Sequence, residues 1–272
     1  METTTPAAQW LQHTHLAKLY GYLPGLAAAQ PAIFGLEPDE YGKIMNDFAA
    51  AADGAAEQLL DDAAFAAQVD ALPFRPGQTV LAVGDSQTDD SQSWAEILRG
   101  LLDRRKPDVK LINGGLSAHT TSMILRRWPA TLAATKPDWI LCLLGGNDVT
   151  RVGPDPVKTQ VGLDESLANL RELRRIAAAR TSAGWVWLTP VPVDEDRVAA
   201  YPPFRFGEST WRNDDLVAFA RAMRDLPDPL VDLTEVFGVP ADPALQGPDG
   251  VHVNLAGQSM ITRVLVERLA TP

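Results

Sequence analysis

From residue 79 onward, short β-branched or apolar runs alternate with longer segments in which apolar residues recur at helical spacing, the pattern of parallel strands joined by crossover helices. Residues 79–83, 109–112, 139–143, 185–188 and 230–233 form the strand runs. Residues 91–103, 120–135, 164–181, 211–224 and 254–269 form the helical ones. The alternation predicts a three-layer α/β fold around a doubly wound, parallel, five-stranded sheet. Pro129 falls inside the second helical pattern and predicts a kink or a new turn there.

Residues 1–78 show no strand pattern. The Ala-rich stretch 41–71 reads as two helices interrupted near Asp53-Gly54, and Pro73, Pro76 and Gly77 punctuate the chain before the first strand. A boundary is therefore expected at residue 78, between an N-terminal helical extension and an α/β domain spanning 79–272. Three roles suit such an extension: a helical layer packed on the sheet domain, a dimerisation arm, or a cover over the active site.

A chain of 272 residues is long enough to bury a sizeable core, and 46% hydrophobic with 22% charged residues is an ordinary globular balance. Lys and Arg number 24 against 35 Asp and Glu, a net charge of -11 that repels phosphate backbones and anionic lipid surfaces. Nucleic acid is not expected as a partner. No run reaches the roughly 18 apolar residues of a membrane span, so stable membrane insertion is not expected either. The start, Met1 to Pro6, lacks the basic and apolar regions of a secretory signal, which makes the cytoplasm the expected compartment. Cys142, the single cysteine, lies in an apolar run and reads as a core residue.

In an open parallel sheet, ligands bind beyond the carboxyl ends of the strands. Four polar clusters fall at that edge: Gly84-Asp85-Ser86 after the first strand, 113–120 after the second, Gly145-Gly146-Asn147-Asp148 after the third, and Asp249-Gly250-Val251-His252 after the fifth. Ser86 by itself fits the cap of a helix as well as a nucleophile. The sequence around it is not the Gly-x-Ser-x-Gly elbow, since Thr88 takes the last place. Asp249 stands three residues before His252, so one loop can present a carboxylate to Nδ1 while Nε2 faces the serine. An imidazole of ordinary basicity suits a base at neutral pH. Asn147 reads either as a turn residue or as an amide donor over the sheet edge. Asp85 and Asp148 read as loop braces.

These blocks resemble the SGNH (GDSL-type) hydrolase superfamily over roughly residues 79–270, with Gly84-Asp85-Ser86, the 113–120 segment, Gly145-Gly146-Asn147-Asp148 and Asp249-Gly250-Val251-His252 in family order. The resemblance implies a flavodoxin-like sheet and a serine hydrolase that cleaves carboxylic esters through an acyl-enzyme on Ser86. In it, His252 is the general base and acid and Asp249 orients it. The backbone N–H groups of Ser86 and Ala118 and the Asn147 side chain form the oxyanion hole. Three positions depart from the family pattern: Gln87 replaces an aliphatic residue, Val253 stands where proline is common, and Ala118 occupies a usual glycine. Gly115 is the alternative donor. The machinery requires no cofactor and no metal.

Gln87 and His119 adjoin the expected site and are candidates for contact with a small-molecule ester. Residues 191–211, rich in proline and aromatics, form a long non-periodic connection on the same edge. Tyr201, Phe204 and Phe206 from it read either as part of a substrate wall or lid or as aromatics that pack the loop down. Three rival readings exist. Acyl transfer to an alcohol would use the same residues, and a non-catalytic module would retain the blocks for shape. A two-metal phosphoesterase would need more histidines than the four present, and no Asp-x-His or Gly-His-x-His motif occurs. Acyl-chain length and oligomeric state are not encoded in these patterns.

Overall fold

The apolar runs pair as parallel strands. The computed structural model describes residues 6–270, with strands β1 (Thr79–Gly84), β2 (Lys110–Asn113), β3 (Trp139–Leu143), β4 (Arg151–Val152), β5 (Gly184–Leu188), β6 (Ser209–Thr210) and β7 (Leu230–Val231). Five of them form one sheet in the order β2-β1-β3-β5-β7, every pair parallel, while β4 and β6 make a separate antiparallel pair. The strand order reverses direction between β1 and β3, which opens a crevice beyond their carboxyl ends.

Among the described residues, five helices precede the sheet: α1 (Pro6–His13), α2 (Leu16–Tyr20), α3 (Leu26–Ile33), α4 (Pro38–Leu60) and α5 (Ala63–Asp70). Within and after it come α6 (Ser86–Asp89), α7 (Trp94–Arg105), α8 (Thr121–Thr135), α9 (Leu163–Arg180), α10 (Glu195–Ala200), α11 (Pro202–Phe206), α12 (Asn213–Met223), α13 (Leu233–Phe237) and α14 (Leu255–Ala270).

Alternate strand residues feed two apolar clusters, as the two-residue period of a strand dictates. Val80, Ala82, Leu141, Leu143, Val186 and Leu188 face α7, α14 and the α4–α5 pair. Leu81, Val83, Ile140, Cys142, Trp185 and Trp187 face α8, α9 and α12. Helices α4 and α5 thus share a core with the sheet, and a third cluster around Leu11 and Phe48 ties α1 to α4. Cys142 is fully buried, and burial pushes its thiol far above its ordinary basicity.

Several boundaries differ from the sequence expectation, each for a local reason. Helix α4 runs through Asp53-Gly54 without a break, because Ala52, Ala55, Ala56 and Leu59 are buried along one face. The interruption comes at Asp62, whose carboxylate accepts from the N–H groups of Ala64 and Phe65 and starts α5. Helix α8 keeps nearly the expected span and continues through Pro129, with Trp128 and Leu132 buried on either side of it. The last strand stops at Val231, since Asp232 caps α13 through the Thr234 N–H and hydroxyl. Helix α7 begins at Trp94, later than expected, after a turn in which Asp90 accepts from the Gln92 N–H. The connection 191–211 is not irregular: it folds as α10, α11 and β6.

Candidate active site

Ser86 is the first residue of α6, one step beyond the carboxyl end of β1. The turn is tight: a Cβ on Gly84 would lie 2.0 Å from Thr88 Oγ1 and 2.8 Å from the Leu143 carbonyl, so only glycine fits. The cap of α6 is Asp85, whose Oδ1 accepts from the Gln87 N–H at 3.1 Å. Ser86 is therefore not the helix cap, and its hydroxyl meets His252 Nε2 at 2.8 Å.

His252 is oriented from its other side. Its Nδ1 lies 2.6 Å from Asp249 Oδ2, while Asp249 Oδ1 accepts from the backbone N–H groups of Val251 and His252, each at 2.9 Å. The loop can turn this way because Gly250 adopts a φ of 76°, and a Cβ there would strike the Asp194 carbonyl at 2.5 Å. Asn254, two residues past the histidine, starts α14 by accepting from the Gly257 N–H.

Burial by itself would raise the Asp249 carboxyl, but the adjacent imidazole and the two loop N–H groups outweigh it and pull the group down to about 2. Burial would likewise weaken the His252 base. The charge and hydrogen bond of Asp249, with Asp90 and Asp85 behind, reverse that, and the net shift is upward from the ordinary 6.5. Asp85 and Asp90 are both almost wholly buried, and that burial raises each to about 6.

The expected oxyanion donors occupy three loops. No protein acceptor among the described residues takes the N–H of Ser86 or of Ala118. Asn147 Nδ2 donates one bond, of 3.3 Å, to the His119 carbonyl. Ala118 sits in the left-handed region at φ 61°, the conformation that glycine adopts most cheaply. Gly115 does not serve as an alternative donor: its N–H is taken by Asn113 Oδ1 at 3.0 Å, and its α-carbon packs on the Thr88–Asp89 backbone. Asp148 holds the Asn147 loop by accepting from the Thr121 N–H and hydroxyl and from the Ser166 hydroxyl.

A cavity of about 20 Å³ opens at Ser86, lined by Asn147, Leu143, Val191, Trp211, Val251 and their neighbours. Of the residues expected to contact substrate, Gln87 lines it, but the two ends of its amide hold the histidine loop. Nε2 donates to the Val251 carbonyl at 2.7 Å and Oε1 accepts from the Val253 N–H at 3.3 Å. Phe204 lies one layer back, 5.0 Å from the ring of Tyr201 and 4.8 Å from that of Trp211. Phe206 is 94% exposed and is not among the residues that line the cavity. His119 Nδ1 engages the Ser117 carbonyl at 3.1 Å beside the oxyanion loop.

One neighbour was not anticipated by sequence reasoning: the ring of His13, at the end of α1, is stacked on His252 with centroids 4.4 Å apart. No spacing rule links segments so far apart in the chain. Among the described residues, no group of three or more His, Cys, Asp or Glu side chains is disposed to hold a metal ion, and no helix is long and apolar enough to cross a membrane.

Ser86, His252 and Asp249 stand in hydrogen-bonded series at the carboxyl edge of a parallel five-stranded sheet, and the α/β fold that holds them is that of the SGNH hydrolases. The model of the GDSL-like Lipase/Acylhydrolase family matches residues 82–260, and the chain belongs to that family. It is 34% identical over 118 residues to "Esterase TesA" of Pseudomonas aeruginosa, covering 42% of this chain and 56% of that protein. It is 32% identical over 115 residues to "Acetylxylan esterase" of Geobacillus stearothermophilus, covering 36% and 52%. The chain thus spans about half the length of the curated relatives it matches. Among solved structures, the TesA crystal structure aligns over 71% of this chain and 98% of its own with a TM-score of 0.53 and 27% identity. A catalytic mutant of Axe2, the acetylxylan esterase of G. stearothermophilus, aligns over 72% and 95% with a TM-score of 0.55 at 22% identity, a likeness of fold.

Proposed function

We propose that this chain is a serine esterase that hydrolyses carboxylic esters with small acyl groups, and that Ser86, His252 and Asp249 are its catalytic residues. The observation that carries the reading is the unbroken series Ser86 Oγ to His252 Nε2 to Asp249, with spacings of 2.8 and 2.6 Å. A hydroxyl so placed can pass its proton to the imidazole as it attacks, and the carboxylate stabilises the imidazolium that forms.

In the first step Ser86 Oγ bonds to the ester carbonyl carbon and its proton moves to His252 Nε2. The carbonyl oxygen becomes an oxyanion held by the N–H groups of Ser86 and Ala118 and by Asn147 Nδ2. The tetrahedral intermediate collapses, the alkoxide leaves with the proton from His252, and an acyl-Ser86 ester remains. Water then gives its proton to His252, attacks the acyl carbon, and releases the carboxylic acid as the proton returns to Ser86.

The cavity at Ser86 is small and walled by Leu143, Val191, Trp211 and Val251, which favours a short acyl chain over a long one. His119, beside Ala118, is the candidate for contact with the alcohol part of a substrate, while Phe204 supports the wall from behind Trp211. A panel of p-nitrophenyl esters from acetate to palmitate, run on the wild type, Ser86→Ala and Asn147→Ala, tests the reading. Acetate should give the highest kcat/KM. Ser86→Ala should lose up to about 10⁶ in kcat and Asn147→Ala roughly 10²–10³. Near-normal turnover by Ser86→Ala would reject the mechanism, and failure of a fluorophosphonate to label Ser86 would favour a non-catalytic module. An alcohol acceptor that diverts product from acid to ester would mark acyl transfer.

A further inference from the structure

The machinery described above draws only on residues beyond the first strand, yet the ring lying against the base comes from α1. We propose that the N-terminal segment is a working part of the active centre, with His13 a positioning residue whose ring, held flat on His252, keeps the base aligned between Asp249 and Ser86 and excludes water from that face. The inference rests on the triad reading.

The two hydrogen bonds of His252 both lie in its ring plane and run roughly along one axis, so neither strongly resists rocking of the ring about that axis. A second ring on the face does. His13 stacks at 4.4 Å with the planes 26° apart, close enough that a tilt of His252 meets van der Waals contact.

The segment that carries His13 is tied to the active edge by polar contacts. Lys18 Nζ donates to Asp89 Oδ1 at 2.6 Å, to Asn113 Oδ1 at 3.1 Å and to the Gly115 carbonyl at 3.1 Å. His15 bridges Asp89 Oδ1 and the Ser91 hydroxyl, each at 2.9 Å. The carbonyl of His13 itself accepts from the Ser117 hydroxyl, next to the expected oxyanion donor at Ala118. The Ser117 N–H in turn donates to Asp89 Oδ2 at 3.0 Å, and the Ser117 hydroxyl lies 3.0 Å from the same oxygen. One carboxylate therefore fastens the strap and the oxyanion loop together, and these anchors follow β1 and β2, as do Ser86 and Ala118.

The charges suit the role. Asp249, Asp90 and Asp85 face His252, and Asp89, Asp249, Asp90 and His15 face His13. Burial first, and then the adjacent His252 ring, push His13 down to about 3. It is neutral wherever the base works, so it fills space beside His252 without placing a competing cation there.

The test compares His13→Ala and His13→Phe by pH profiles of p-nitrophenyl acetate hydrolysis, with Ser86→Ala and fluorophosphonate labelling run alongside. His13→Ala should lower kcat by about 10–100-fold through misalignment of the base, with KM little changed. Water reaching the open face would relieve the desolvation of His252, so the acid limb of kcat/KM should move up by about 0.5 pH unit. His13→Phe, which restores a flat ring, should rescue kcat to within about threefold of wild type and return the acid limb. Lys18→Met gives a second readout that needs no change at His13. A loosened strap should broaden the low-field His252 Nδ1 proton resonance by exchange with water. Folded His13→Ala with wild-type kcat and acid limb, equal impairment of the Ala and Phe variants, or an unchanged sharp resonance in Lys18→Met would each overturn the proposal. If Ser86→Ala itself turned over substrate, the triad reading would fail instead.

Discussion

The substitution Asp249→Asn separates the orienting role of this carboxylate from its structural one. In the wild type, Oδ1 accepts from two backbone N–H groups and Oδ2 from His252 Nδ1. The oxygen of the introduced amide must take the Oδ1 position, because two donors point at it, which leaves the NH₂ facing Nδ1. The imidazole then carries its proton on Nε2 and presents an N–H, not a lone pair, to the Ser86 hydroxyl. Triads altered in this way lose about 10⁴ in kcat, roughly 5 kcal/mol in barrier. The stability change is smaller. A carboxyl held at about 2 against its ordinary 3.8 contributes about 2 kcal/mol at neutral pH. Because the folded-state value is the depressed one, that stability is present above the ordinary value and is lost as pH falls through 2. For a chain of this size the loss lowers Tm by roughly 4–8 °C at pH 7, and the gap from wild type should close in strong acid. Turnover of p-nitrophenyl acetate and thermal melts followed by circular dichroism measure the two effects. A kcat within tenfold of wild type in the folded variant would refute the tautomer argument.

Other substitutions probe the loops around this centre. Gln87→Leu leaves the Val251 carbonyl and Val253 N–H without their partners, and should cost about 2 kcal/mol in urea unfolding while lowering kcat more than it raises KM. Ala118→Gly removes the left-handed strain at φ 61° and should retain kcat, whereas Ala118→Val, which that conformation excludes, should lower both kcat and Tm. The upward shift of His252 places the acid limb of the kcat/KM profile above pH 6.5, with activity rising toward alkaline pH as the imidazole loses its proton; a limb well below that value would contradict the assigned pairing. Phe206→Ala, at a side chain 94% exposed, should change stability by less than about 0.5 kcal/mol and leave acyl preference unaltered in the ester panel.

Local pattern was enough to specify the sheet and the placing of its polar loops. Strand and helix periods involve near neighbours only, so the runs at β1, β3 and β5 were legible within one residue, and the order of blocks around Ser86, Asn147 and His252 set them on one edge once the strands were parallel. Elements at the margins were not legible: β4 and β6 have two residues each, too short for any period to register, and the continuity of α4 through Gly54 depends on a face of alanines finding α7. What each polar side chain touches was decided in three dimensions. Gln87 lines the cavity and also braces the histidine loop from 164 and 166 positions away, and the Gly115 N–H is taken by a bond within its own loop. Phe206 points to solvent although its neighbour Phe204 packs on Trp211. The stacking of His13 on His252 is the clearest case, since it joins the two ends of the chain through Asp89 and Lys18. Contacts between distant segments arise from packing and charge pairing across the folded molecule, for which a linear pattern carries no period.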